Sequence, residues 1–203
     1  MKGAGSGRVV ILDLGNVVLD WNVDRILAAL NTGDHERHLL RKELFEHRRW
    51  LDLDHGKTSE TAVIAQLCDR TPLNREIVEA ALETTRQSLV PIAESVSLMQ
   101  DISGSGIAMF CLSNMSRETW SHVRGLPLFD MFEGCVISAI EGCMKPGEEI
   151  FELTLERFGL RPQATLFIDD SAVNVETARR LGIEGFHFRR SPACYRQIRN
   201  RLS

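Results

Sequence analysis

The spacing of apolar residues changes its period along the chain, and the changes mark out the architecture. Val9-Val10-Ile11-Leu12 is an unbroken apolar run that stops at Asp13-Leu14-Gly15-Asn16, the pattern of a short strand buried on both faces of a parallel sheet. From about Asp24 to Leu89 the period becomes helical. Ile26, Leu27 and Leu30 form one stripe, and Leu39, Leu40 and Leu44 a second. Ala62, Val63, Ile64 and Leu67 mark a third helix starting near Thr58-Ser59. A fourth is expected from Thr71-Pro72, where threonine caps and proline suits the first turn.

After Pro91 helices and apolar strands alternate. Helices are expected at Val96 to Ile102, Glu148 to Phe158, Val173 to Leu181 and Tyr195 to Leu202. Strands are expected at Ile107 to Leu112, Val136-Ile137, Thr165 to Ile168 and Phe186 to Phe188. Gly159 and Gly182 stand where helices should stop. Alternation of this kind predicts an α/β fold, a doubly wound, Rossmann-like parallel sheet. The expected core comprises residues 1–20 and 91–203, with an all-helical insert at 21–90.

Composition narrows the function classes. A chain of 203 residues buries roughly 70% of its unfolded surface and needs no disulfide or structural metal to fold. The formal net charge of −4 leaves no basic footprint for nucleic acid or an anionic membrane. No apolar run approaches the ~18 residues of a membrane span. The N-terminal MKGAGSGR reads as a loose leader, without the apolar segment of a signal peptide. Five cysteines, an odd number without a CxxC pair, point to a reducing, cytoplasmic setting. His35 and His38 have no thiol near them and read as a solvated helix face.

The candidate chemistry lies where the strands end. Asp13 follows the first strand, Ser113-Asn114 the second and Asp169-Asp170 the fourth, while Lys145 precedes the helix after the third. In doubly wound sheets these ends share one rim, where ligands bind. Each residue alone has a commonplace reading as a cap or turn former. Together they crowd three carboxylates, and two like charges at 4 Å repel by about 4 kcal/mol at an effective dielectric of 20. Such a cluster calls for a cation, and all-oxygen ligands facing a phosphate suit Mg²⁺. With Ser113 and Lys145 on the phosphoryl oxygens, Asp13 is left to attack phosphorus.

The motifs VVILDLGNVVLDW, FCLSN, the lysine of CMKPGEEIFE and LFIDDSAVNVETARRLGI resemble, in order and spacing, the four motifs of the haloacid dehalogenase superfamily. The resemblance extends to members with a helical cap after the first motif, in particular the sugar-1-phosphate phosphatase-like branch. It implies a phosphatase that hydrolyses a small phosphorylated metabolite, such as a sugar phosphate, through an aspartyl-phosphate intermediate. Asp13, Ser113 and Lys145 would be catalytic. Gly15, Asn16, Ser113, Asn114 and Lys145 would contact the phosphate. Asp13, the Gly15 carbonyl and Asp170 would hold Mg²⁺, with Asp169 acting through water, and Asn174 would brace the fourth motif. Neither nucleic acid nor membrane is expected as a partner, and the chain is expected to be a monomer or homodimer.

One departure from the resemblance matters. Phosphatases of this kind usually carry a second aspartate, the general acid and base, where this chain has Gly15. Three readings follow. The leading one is a Mg²⁺-dependent phosphatase in which leaving-group departure is unassisted, or is helped by another residue such as Asp20, Asp24 or His55. The rivals are a metal-independent 2-haloacid dehalogenase, disfavoured by Asp169-Asp170, and a catalytically weak ligand- or partner-binding scaffold. Specificity is expected from the cap, with Trp21, Trp50 and a helix break at Leu51 to Lys57 as candidates.

Overall fold

In the computed structural model, which describes residues 7–202, the sheet has five parallel strands. These are β1 (Val9–Leu12), β2 (Ala108–Ser113), β3 (Gly134–Ile137), β4 (Thr165–Asp169) and β5 (Glu184–His187), in spatial order β3-β2-β1-β4-β5. The leader falls almost wholly outside the described residues. The alternation of side chains along each strand sends its residues into two separate apolar layers. Val10, Leu12, Met109, Cys111, Leu166 and Ile168 meet helices α6 (Ala93–Gly104), α7 (Arg117–Val123) and α11 (Pro192–Leu202) on one face. Val9, Ile11, Phe110, Leu112 and Phe167 meet α9 (Glu148–Phe158) and α10 (Ala172–Arg180) on the other. A short α8 (Ser138–Glu141) follows β3.

The register decides what the rim carries. Leu12 pairs with Cys111 on one side and Ile168 on the other. One residue further, Asp13 lies level with Asp169 and Leu112, and its amide donates to Ile168 O at 3.0 Å. From β1 the chain runs outward through β2 to β3 and then crosses back to β4 on the other side of β1, so Asp13 stands where strand order reverses.

Between β1 and α6 the chain forms α1 (Val23–Ala29), α2 (Asp34–Leu40), α3 (Arg48–Asp54), α4 (Glu60–Arg70) and α5 (Arg75–Ser88). Their apolar faces enclose a third cluster that includes Leu27, Leu40, Leu44, Val63, Leu67, Val78 and Leu82. Caps fix the starts: Ser59 Oγ accepts from the Ala62 amide at 3.2 Å, and Asn74 Oδ1 from the Ile77 amide at 2.9 Å. The fourth expected helix therefore begins at Arg75 and not at Thr71-Pro72. Thr71 instead ends the preceding helix, its hydroxyl donating to Leu67 O at 2.7 Å. The expected break at Leu51 to Lys57 is shorter, because α3 continues through Asp54 and only His55-Gly56-Lys57 turn. The fifth strand likewise begins two residues earlier than Phe186. His35 and His38 are exposed on α2, as expected.

The two crossings between core and helices lie side by side. Asp20 N donates to Val90 O at 2.9 Å, and Ile92 N to Val18 O at 2.9 Å. Among the described residues, no helix is long and apolar enough to cross a membrane.

Because the helical cluster is closely filled around Leu67, which is fully buried, Leu67→Ala should cost about 2–5 kcal/mol by lost transfer energy and cavity formation. The exposed Leu51, at 54%, should tolerate alanine within about 0.5 kcal/mol. Urea unfolding midpoints compare the two.

Candidate active site

Lys145 organises the site. Its ammonium is buried, with the residue 2% exposed, and donates to Asp169 Oδ2 at 2.7 Å and Leu112 O at 2.8 Å. It also stands 2.9 Å from Asp13 Oδ1. Burial alone would lower the lysine pKa, but Asp13 and Asp169 outweigh it and the net shift is upward, so the charge is retained. Asn114 sets the lysine's backbone: its Nδ2 donates to Lys145 O at 2.8 Å and its Oδ1 accepts from Lys145 N at 2.9 Å.

The neighbouring carboxylates differ sharply. Asp169 is fully buried and its oxygens are taken by Lys145, by the Ser171 amide at 2.7 Å and by Asn174 Nδ2 at 3.1 Å. Asp170 faces the cavity and accepts from Asn16 Nδ2 at 3.1 Å. Asn16 adopts a left-handed backbone, φ 56°, a region that asparagine tolerates better than most residues. This conformation aims its amide at Asp170, and its Oδ1 accepts from the Trp21 amide at 3.2 Å.

Asp13, Asp169 and Asp170 place oxygens within 4.8 Å of one another. Burial pushes Asp13 up to about 6, against the pull of Lys145, so it is ionised at neutral pH. Burial also raises Asp170. Three carboxylates against one ammonium leave net negative charge in a partly closed space. The donors are all hard oxygens, the set that suits Mg²⁺.

Asp13, Lys145 and Asp170 line a cavity of about 180 Å³, together with Gly15, Asn16, Ser113, Asn114 and Asn174, while Asp169 is buried behind it. The rest of its lining is Leu19, Trp21, Trp50, Asp54, Leu89, Met115 and Thr119. The tryptophan rings are 5.2 Å apart, and Phe45 packs against Trp50, also at 5.2 Å. Trp21 and Trp50 are thus both helical-layer packing and cavity wall.

The structure brings all eight expected site residues to one place. Asn16 and Asn114 were expected to contact phosphate. In the structure each gives its carbonyl and one N–H to protein partners, Asn16 bonding Asp170 and Asn114 the Lys145 backbone, which leaves one amide N–H on each. Asp20, Asp24 and His55, the candidates to help the leaving group, are outside the cavity lining. Asp20 pairs with Arg25 and Arg190, Asp24 pairs with Arg41, and His55 Nε2 pairs with Gly142 O at 2.9 Å.

The residue missed individually is Asp54. Its carboxyl accepts from the Ser116 amide and the Trp50 indole, yet burial and the negative charge of Asp13 raise it to about 7. A carboxylate at the end of an amphipathic helix reads as ordinary surface charge, and only its place in the Leu51 to Lys57 segment drew attention to it.

Residues 8–182 match the model of the haloacid dehalogenase-like hydrolase family. A sesquiterpene phosphatase of Aspergillus oryzae is 27% identical over 195 residues, 95% of each chain. A D-ribitol-5-phosphate phosphatase of Bacteroides thetaiotaomicron is 27% identical over 191 residues, covering 87% of this chain and 89% of that one. A crystal structure of a haloacid dehalogenase-family enzyme from Bacteroides thetaiotaomicron, in complex with magnesium and inorganic phosphate, superposes with a TM-score of 0.72. It is 21% identical and covers 91% of this chain and 95% of that chain.

The raised Asp54 sets a pH dependence of stability. The folded state holds this proton up to about pH 7, whereas the unfolded chain releases it near 3.8. The folded state therefore binds more protons across that window, and stability falls as pH rises through it. At roughly 1.4 kcal/mol per unit, a rise from 3.8 to about 7 sets an upper bound of about 4 kcal/mol on the stabilisation of the metal-free protein by Asp54→Asn at pH 8. The gain should vanish below pH 3.8. Thermal melts in chelator at both pH values test this.

Proposed function

This chain belongs to the haloacid dehalogenase-like hydrolase family, and from that premise we propose that it is a Mg²⁺-dependent phosphatase of small phosphate monoesters. The observation that carries the reading is the buried Lys145 bridging Asp13 and Asp169 while Asp170 is left facing the cavity. That arrangement leaves one carboxylate positioned to attack and one open to a cation. A dehalogenase displacing halide from carbon has no use for this second acidic pair.

In this reading Asp13 attacks phosphorus and forms an aspartyl phosphate, which water then hydrolyses. Lys145 and Ser113 hold phosphoryl oxygens. Asp13, Asp170 and the Gly15 carbonyl hold Mg²⁺, with Asp169 acting through water. Bound there, the ion would neutralise the phosphoryl oxygens and relieve the repulsion among the carboxylates. Asn16, Asn114 and Asn174 keep the charged groups aimed. We read residues 21–90 as a cap that closes over the phosphate and carries the walls recognising the rest of the substrate.

Two kinds of organic group suit those walls. The ring faces of Trp21 and Trp50 can stack on the C–H face of a sugar, the reading favoured by the resemblance to sugar phosphatases. The apolar run of Leu19, Leu89 and Met115 favours a second reading, a short hydrocarbon phosphate, as the sesquiterpene phosphatase relative suggests. The free thiols of all five cysteines support a reducing, cytoplasmic setting.

Asp13→Asn keeps the shape of the nucleophile and removes its charge. Turnover of p-nitrophenyl phosphate should drop to near background, with the far-ultraviolet circular dichroism unchanged. More than a few per cent residual activity would contradict a covalent mechanism. Separately, Mg²⁺ should raise the melting temperature of the wild type by binding the folded state, and a chelator should abolish activity. Full activity in excess chelator would rule out the metal-dependent reading.

A further inference from the structure

We propose that Asp54 is the general acid and base of the reaction, a proton carrier supplied by the helical insert where the loop after β1 offers only Gly15. The assignment rests on the phosphatase reading above. It starts from the ionisable groups that line the cavity: Asp13, Asp54, Lys145 and Asp170. Asp13 is committed to attack. Lys145 is held by Asp13, Asp169 and Leu112 O, and Asp170 is oriented toward the cation position by Asn16. Asp54 is the group with no other role. At Gly15, which lines the same cavity, a Cβ would meet nothing within 4 Å. The space beside Gly15 is therefore open to a substrate oxygen, and Asp54 lines the same cavity, close enough to Asp13 for the two charges to interact.

Asp54 is also held in place by the core. Its backbone carbonyl accepts from Ser138 Oγ, which in turn accepts from the Met115 amide at 3.0 Å. His55 pairs with Gly142 O. Gly56, at φ +76°, packs so closely that a Cβ would stand 2.4 Å from Ala139 O. Three successive residues of the insert thus contact the segment from Ser138 to Gly142. The carboxyl itself is oriented by the Ser116 amide and the Trp50 indole. Its proton is present near neutrality because burial and the facing Asp13 disfavour the anion.

The chemistry balances with one proton. As Asp13 forms its bond to phosphorus, the bond from phosphorus to the ester oxygen breaks. That oxygen takes the Asp54 proton and leaves as the alcohol. Asp54, now a carboxylate, accepts a proton from water as the water oxygen bonds to phosphorus and the bond from phosphorus to Asp13 breaks. Inorganic phosphate departs, and Asp54 is protonated again.

The test compares wild type with Asp54→Asn, which keeps an oxygen acceptor for Ser116 and Trp50 but has no acidic proton. The probes are p-nitrophenyl phosphate and ethyl phosphate in rapid-quench experiments with Mg²⁺. A positioned acid contributes about 10²- to 10⁴-fold in rate. Phosphorylation by ethyl phosphate should slow by that factor. Phosphorylation by the aryl ester, whose leaving group needs little protonation, should slow by less than about tenfold. The aryl ester should also release a burst of nitrophenol stoichiometric with the variant, because the aspartyl phosphate persists without its base. Equal losses on both esters, or none, would overturn the assignment. A second readout needs no turnover: infrared difference spectra should show a carboxylic acid band that titrates at about pH 7 and is missing from Asp54→Asn. Its absence from the wild type overturns the assignment. Failure of the wild type to hydrolyse either ester overturns the phosphatase reading itself.

Discussion

An ammonium withdrawn from water must find acceptors, and the acceptors of Lys145 come from the ends of three adjacent strands. Asp13 follows β1, Leu112 belongs to β2, and Asp169 ends β4. Removing one member of such a buried set typically costs about 3–5 kcal/mol, because an uncompensated charge is left behind. The sheet register, the Asn114 clamp on the lysine backbone and the Asn174 contact to Asp169 therefore all serve one arrangement. It holds a carboxylate ionised, in place and aimed outward, in surroundings that would otherwise protonate it.

Four aspartates meet at this rim, and their surroundings give each a different character. Asp169 has its oxygens filled by protein donors and acts as an internal brace. Asp170, with one amide on it, is open toward the cavity. Asp13 shares an ammonium and remains anionic at neutral pH. Asp54 has two N–H donors and no cation, and it holds its proton to about 7. Chemically identical side chains are separated into distinct tasks by the donors and charges placed around them, as expected when environment sets acid strength.

Much of this was legible in the sequence. Unbroken runs such as Val9 to Leu12 identify buried parallel strands, and the residue after each run falls on the rim by topology alone. Helix starts were harder. At Thr71-Pro72 two good capping signals stand three residues ahead of Asn74, and the chain uses the threonine to end a helix. The orienting roles of Asn16 and Asn114 depend on a left-handed residue and on a contact across about thirty positions, neither of which periodicity reveals. Asp54 was hidden for the same reason. Its meaning depends on Ser138 and Gly142 lying beneath it, a pairing fixed only by tertiary packing.

The helical segment leaves the core at Val18 to Asp20 and returns at Val90 to Ile92, and these two stretches are hydrogen-bonded to each other. Closing a segment between such adjacent ends costs an entropy that grows only with the logarithm of its length, about 0.6 kcal/mol per doubling. Its apolar cluster is also separate from the two that sandwich the sheet. The fold is thus divided into a part where substitutions disturb the attacking machinery and a part whose length and lining can be redrawn independently. Within that second part, the short stretch that touches Ser138 to Gly142 and the packing of α5 on α7 are fixed points around which the module must be rebuilt.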